Sequence, residues 1–251
     1  MLEPWAYAAL TLVAAIAGFV DSMAGGGGLI VIPALLFAGV SPLYALGTNK
    51  LQSVFGTAIA LRNYWRSGLV EWRPNRLTVL LAFAGAVAGA LIVQSINTRL
   101  LQLIVPLLLV ASALYVLLSP RMTDEDAHHR VTSNGYAPIG AAVGFYDGFF
   151  GPGAGSFFVF AFVRLLGFDF LNASASAKLM NTATNIAALL LFAAKGHVWW
   201  HIALVMALAN IAGSLIGTRL ALKHGAGFVR IGFIAVVSAL ILKTGWDAFV
   251  R

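Results

Sequence analysis

The chain of 251 residues contains no cysteine. That excludes disulfides, thiolate metal sites and cysteine nucleophiles. Charge is scarce as well: 10% of the residues are charged, where soluble domains carry about 25%. The acids are the scarcer sign, nine against sixteen Lys and Arg. The net charge of +7 does not point to nucleic acid, because the basic residues sit in short loops beside apolar runs, as membrane topology requires. The N-terminus lacks the basic start and small-residue cleavage site of a signal peptide, so Trp5–Val20 reads as a first membrane helix. No Gly-Lys-Ser/Thr follows a glycine cluster, which excludes a Walker-type phosphate loop.

What the chain has instead is apolar sequence, 60% of its residues. A hydrocarbon core of about 30 Å needs about 20 apolar residues in a helix. Leu77–Ile96 and Leu100–Leu118 meet that need without one charge. Barrel strands are short and alternating, so runs of this kind are helices. The expected fold class is therefore an all-α integral membrane protein.

The chain also repeats itself. Gly18-Phe-Val-Asp-Ser-Met-Ala-Gly-Gly-Gly-Gly28 returns as Gly144-Phe-Tyr-Asp-Gly-Phe-Phe-Gly-Pro-Gly153. Gly18, Phe19, Asp21, Gly25 and Gly27 match Gly144, Phe145, Asp147, Gly151 and Gly153, each 126 residues on. From Gly39 the offset becomes 128: Gly39 matches Gly167, Lys50 matches Lys178, Gly68 matches Gly196, and Gly85 and Gly89 match Gly213 and Gly217. One register over this distance divides the chain into a first transmembrane repeat at 1–122, a linker at 123–134 and a second repeat at 135–251.

Each half carries five apolar segments, two of them short. They are Trp5–Val20, Leu29–Val40, Tyr44–Trp65, Leu77–Ile96 and Leu100–Leu118, then Pro138–Phe150, Phe157–Leu166, Asn172–Ala194, Ala203–Thr218 and Gly227–Leu242. Pro106 is expected to kink the fifth. An odd number per half predicts two inverted-topology repeats, with broken or re-entrant helices at the glycine-rich motifs. The basic residues agree. Arg62, Arg66, Arg73, Arg76, Arg121, Arg130, Arg219, Lys223 and Arg230 fall on one side, the inner one, and Arg99, Lys195 and Arg251 on the other. The polar stretch 119–133, with Asp124, Glu125, Asp126, His128 and His129, reads as a solvated linker because no metal-liganding spacing recurs. His197, Trp199, Trp200 and His201 read as an interfacial belt.

Three sets of residues are candidates for a site. Glycine clusters in apolar surroundings permit broken helices, whose free N–H groups and positive dipole ends attract anions. Gly25, Gly26, Gly27 and Gly28, with Gly151 and Gly153, stand there; tight helix packing is the plainer use of the same glycines. Lys50 and Lys178 lie in matched, otherwise uncharged stretches, where an ionisable residue is costly and usually functional, unless it snorkels to an interface. Asn49 and Ser53 beside Lys50, and Asn181 and Asn185 beside Lys178, extend each lysine into a polar stripe of substrate-binding candidates. Asp21 and Asp147 are candidates for proton coupling, since low dielectric favours the neutral carboxyl, or for capping the helix that follows. No histidine accompanies them, so a membrane-embedded enzyme is the weakest of the functional readings, and no metal or cofactor is expected.

The motif around Asp21, the following Pro33 and Gly47-Thr-Asn-Lys50 resemble the signature of the sulfite exporter TauE/SafE family, also called TSUP. The motif Gly144 to Gly155 and Ala177-Lys178 resemble its second signature. The resemblance covers nearly the whole chain. It departs from symmetry in having Pro152 and Ala154 where the first copy has Gly26 and Gly28. It implies a multi-pass permease of the bacterial inner membrane, moving small sulfur-containing anions such as sulfite or organosulfonates. With no nucleotide-binding domain, energy would come from protons or another gradient ion, by alternating access. An anion channel using the same site is the alternative.

Overall fold

Proline and glycine punctuate the helices. The computed structural model describes residues 3–118 and 136–249, and among these there is no strand. The helices are α1 (Pro4–Ala24), α2 (Gly27–Phe37), α3 (Pro42–Arg66), α4 (Trp72–Val93), α5 (Thr98–Leu118), α6 (Ala137–Phe149), α7 (Ala154–Ala161), α8 (Phe170–Ala194) and α9 (Trp200–Phe249). Pro4 and Pro42 open α1 and α3 in the first turn, where a missing N–H costs nothing. Asp169 opens α8 by accepting from the N–H groups of Leu171 and Asn172 at 2.9 and 3.0 Å. Gly68 and Gly196 follow the ends of α3 and α8 with φ of 76° and 74°. The same hydrogen bond closes both turns, Leu69 N–H to Tyr64 O and His197 N–H to Phe192 O, as a left-handed C-terminal residue allows.

Among the described residues, five helices are long and apolar enough to cross a membrane: α1, α4, α5, α8 and the part of α9 up to Gly225. Their outer faces carry bare leucines: Leu103, Leu107 and Leu208 are 67, 70 and 71% exposed. Such a girdle is stable only in lipid. α3 has the length, 25 residues, but it carries the polar stripe and lies in the interior. α2 has 11 residues, and α7 with the π-helical turn Phe162–Leu166 has 13. At 1.5 Å per residue these reach about 16 and 20 Å, short of the roughly 30 Å core.

One boundary differs from the sequence reading: Asp21 lies inside the last turn of α1 rather than after it. Asp147 lies in the last turn of α6, within the expected segment, and α5 runs as one helix with Pro106 inside it. The expected spans 203–218 and 227–242 lie on either side of Gly225, whose φ of 70° and ψ of −168° are not helical, so α9 consists of two helices that meet at a kink there. Glycine takes that backbone conformation without the penalty of a Cβ. The linker 123–134, with Arg121, Arg130 and its acids and histidines, lies outside the described residues, as do the side chain of Arg230 and Arg251.

The packing repeats with the sequence register. Gly18 of α1 lies against Asn210 of α9, and the matched Gly144 of α6 lies against the matched Ala82 of α4. A Cβ on Gly213 would come within 2.8 Å of Phe19 N, and one on Gly85 within 2.8 Å of Phe145 N. The first helix of each half thus packs on the fourth helix of the other, through small residues that let backbones touch. Thr78, Ala82 and Ala86 meet Gly140, Gly144 and Gly148, so α4 and α6 run in the same direction. The matched helices α3 and α8 run in opposite directions: Gly47 meets Phe192, Lys50 meets Asn185, and Ala60 and Tyr64 pack with Ala175. The turn at 195–199 therefore lies by the start of α3, where Trp199 N–H bonds the Thr48 hydroxyl. Of the belt residues, Trp199, Trp200 and His201 face outward, while His197 Nδ1 pairs with Gln94 Oε1 at 2.9 Å.

Candidate functional site

Two helix breaks meet in the interior. α1 ends at Gly25 (φ 84°) and α2 starts after Gly26 (φ 97°); α6 gives way to Gly151 (φ 101°) and α7 starts after Gly153 (φ 85°). The breaks touch: a Cβ on Gly25 would lie 2.7 Å from Gly155 Cα, and one on Gly28 would lie 3.1 Å from Pro152 Cα. Backbone approach of that kind requires glycine on at least one side. Pro152 is compatible because its partner Gly28 supplies the space. The Tyr146 hydroxyl fixes the second break by donating to Pro152 O, and it also lies 2.6 Å from Ser112 Oγ.

A cavity of about 20 Å³ lies between the breaks, α3 and α8. That is room for about one water. Lys50, Asn49, Ser53, Asn181, Asn185, Gly26, Gly28, Gly151, Gly153, Asp21 and Asp147 line it, so most of the candidate residues of both halves come together. Gly155 and Ala154 line it too and were not singled out by sequence. Gly25, Gly27 and Lys178 are not among the lining residues; Lys178 is fully buried and meets the lining residue Asp21. Gly25 packs on Gly155, and Gly27 N–H donates to Asp21 Oδ1 at 3.1 Å, so Asp21 does cap the start of α2.

The charged groups pair across the halves. Lys50 Nζ lies 2.6 Å from Asp147 Oδ1, and Lys178 Nζ lies 3.2 Å from Asp21 Oδ2. Each lysine meets the aspartate of the other repeat, and the two pairs are exchanged by the sequence register. Lys50 Nζ also donates to Asn185 Oδ1 at 3.1 Å, so Asn185 serves the lysine of the other half rather than its own neighbour Lys178. The Thr184 hydroxyl donates to Asp147 Oδ2. Thr184 was missed in the sequence, although it lies three residues after Asn181 on the same helical stripe. Asn49 and Ser53 both accept from Gln52 Nε2 at 2.9 Å. Among the described residues, Asn181 Oδ1 is buried without a hydrogen-bond partner. The open atom is an acceptor, so a water or a ligand group that donates would complete it.

The arrangement is thus a buried cradle of two lysines and two aspartates whose formal charges cancel. It is ringed by amides, a hydroxyl and the glycine-rich starts of two half-helices. Such a cradle can take an anion only by parting a lysine from its carboxylate.

Comparison with known proteins gives a consistent result. The family model for sulfite exporter TauE/SafE matches residues 10–244. A relative from Escherichia coli (strain K12), the "Probable membrane transporter protein YfcA", is 44% identical over 249 residues, covering 99% of this chain and 93% of that protein. A "Probable membrane transporter protein" of Haemophilus influenzae is 38% identical over 250 residues, covering 96% and 97%. YunE of Bacillus subtilis, also named a probable membrane transporter protein, is 26% identical over 237 residues, covering 84% and 85%. No solved structure matches the chain.

Proposed function

The chain belongs to the sulfite exporter TauE/SafE family and is a membrane transporter; on that premise we propose that it carries small sulfur-containing anions, such as sulfite or organosulfonates, across the bacterial inner membrane together with protons taken up at the crossed lysine–aspartate pairs. The observation that carries the reading is the pairing itself. Lys50 with Asp147 and Lys178 with Asp21 keep two ammonium groups in the membrane interior at no net charge. When a proton neutralises an aspartate, its lysine is released to bind a sulfur oxyanion, whose oxygens accept from ammonium, amide and hydroxyl donors. The Asn181 amide N–H and the N–H groups at the starts of α2 and α7 would add to that set. Proton and monoanion, a sulfonate or hydrogensulfite, then enter together and the site keeps zero net charge; a sulfite dianion requires a second proton, for which the other aspartate is available.

Two further features support alternating access by inverted repeats. Matched helices α3 and α8 run in opposite directions, and the first helix of each half packs on the fourth of the other. An axis in the membrane plane relates such halves, with the site between them. The homologues' names as transporters, and the absence of a histidine beside either aspartate in sequence, speak against catalysis.

The test is sulfite uptake by proteoliposomes under an imposed pH gradient. The expected result is uphill accumulation driven by inward protons, lost when Asp21→Asn and Asp147→Asn are combined. Saturation-free flux that never runs uphill would establish a channel instead. Full uphill uptake by the doubly substituted protein would place coupling elsewhere.

A further inference from the structure

The two halves share their charged pairs and their glycine seams, but not the seam between the third helix of one half and the fourth of the other. On one side of the molecule, between α3 and α9, a hydrogen-bonded chain runs from the cavity to the end of α3. Gln52 Nε2 donates to Asn49 and Ser53, which line the cavity. Asn210 Nδ2 donates to Gln52 Oε1, and Ser214 Oγ lies 3.3 Å from Asn210 Oδ1. Thr218 Oγ1 donates to Ser214 O at 2.7 Å and accepts from Asn63 Nδ2 at 2.7 Å. Gln52, Asn210, Ser214 and Thr218 are buried, and Asn63 is half-buried between exposed Arg62 and the end of the helix at Arg66.

The other side has none of this. At the matched positions 128 residues away, Gln52 becomes Met180, Asn210 becomes Ala82, Ser214 becomes Ala86, Thr218 becomes Ala90 and Asn63 becomes Leu191. Met180, Ala82, Ala86 and Ala90 are fully buried. Thr184, the polar residue that α8 has at the position of Gly56, turns to Asp147. Folding a symmetric scaffold does not require the polar chain, since the matched seam packs without it. Polar side chains at membrane depth are costly and are kept where they pair with one another or line a water-filled path. Pairing alone does not account for a row that starts in the cavity and ends at the half-exposed rim.

We propose that the α3–α9 seam is the hydrated branch of the transport path, joining the central cavity to the side that bears Arg62 and Arg66. The seam carries amides and hydroxyls and no charge, so it offers an oxyanion donors at each step without trapping it. The matched α8–α4 seam is a dry seal. This rests on the transporter reading above, but its test needs no cargo.

The chain has no cysteine, so a single introduced thiol reports one position. Ser214→Cys and Thr218→Cys are near-isosteric probes of the polar seam; Ala90→Cys and Leu191→Cys probe the matched one. Each protein is first required to elute as one species in detergent, with Asn210→Cys replacing a seam probe that does not. In vesicles, a methanethiosulfonate reagent bearing a sulfonate is added to the seam probes from the side of Arg62 and Arg66, with Arg66→Cys as the exposed control, and to the matched probes from the opposite side, where the antiparallel packing of α3 and α8 puts them, with Lys195→Cys as the exposed control. The expected result is modification of the seam thiols at least about tenfold faster than of the matched pair, since only a water-reached thiol ionises and reacts. Equal rates in the two sets, or modification of Arg66→Cys with none at the seam, would overturn the proposal and make the polar chain interhelical adhesion. Sulfite uptake by the parent protein is measured separately, so loss of the transporter reading is told apart from loss of the path.

Discussion

The two ion pairs are equivalent by sequence register and unequal in their surroundings. Lys50 and Asp147 lie 2.6 Å apart with side chains 1 and 4% exposed, and both partners have further bonds, Lys50 to Asn185 and Asp147 to Thr184. Lys178 and Asp21 lie 3.2 Å apart, with Asp21 20% exposed and its other oxygen taken by the N–H of Gly27. One pair is held by side chains of α8 alone, the other by the start of a half-helix. A repeat can therefore copy the residues of a site and still give them different surroundings: the closed pair fixes α3 against α6 and α8, and the open pair is the one that the proposed proton or anion would reach first.

The largest effect that sharpens this difference is on stability. Lys50→Ala leaves Asp147 buried without a counter-charge and is expected to destabilise the protein by about 3–5 kcal/mol. Lys178→Ala leaves Asp21 with water and the Gly27 N–H, and about 1–3 kcal/mol is expected. Thermal unfolding in detergent, followed for both proteins under one condition, gives the order. Equal losses would mean that the two pairs are equally closed.

A smaller contrast sits at the matched helix starts Ser41 and Asp169. Asp169 accepts from two backbone N–H groups, and Ser41 makes no side-chain cap bond. Asp169→Ala should cost about 1 kcal/mol and Ser41→Ala close to nothing. The same melting experiment reads both, and a comparable loss at Ser41 would show that α3 depends on a cap formed only in the membrane.

Much of this was legible in the sequence because it rests on spacing. The register that joins Gly18 to Gly144 and Gly85 to Gly213 marks the helix seams, and in both halves these glycines bring backbone to backbone. Charge scarcity and long apolar runs specify a membrane protein without any tertiary knowledge. The crossed pairing was not legible. Lys50 and Asp147 are 97 residues apart, and Lys178 and Asp21 are 157 apart, so only the packing of α3 and α8 together with α6 and α1 brings them into contact. The lysines accordingly read as free anion ligands, whereas each is engaged by a carboxylate. The polar chain on α9 was hidden for another reason. Gly213 and Gly217 announce a packing face, and Asn210, Ser214 and Thr218 one turn apart look like more of the same small-residue stripe. Only their bonds to Gln52 and Asn63 distinguish them. Asp21 fell inside a helix because Ser22, Met23 and Ala24 continue the helical backbone before a positive φ becomes necessary at Gly25.

The central claim is that the lysines of the crossed pairs bind the anion once their carboxylates let go. It is tested most directly by sulfite binding to a protein in which one pair is replaced by neutral isosteres, Lys50→Gln with Asp147→Asn. Replacing both partners leaves no uncompensated charge, so the fold should persist where Lys50→Ala weakens it. The same exchange, Lys178→Gln with Asp21→Asn, serves the open pair. Each loss of a charge-assisted contact to a buried anion is worth about 1.5–3 kcal/mol, so sulfite affinity should fall roughly 10- to 150-fold in each folded double variant. Unchanged affinity in both would contradict the account and leave the pairs as structural clamps between the two halves.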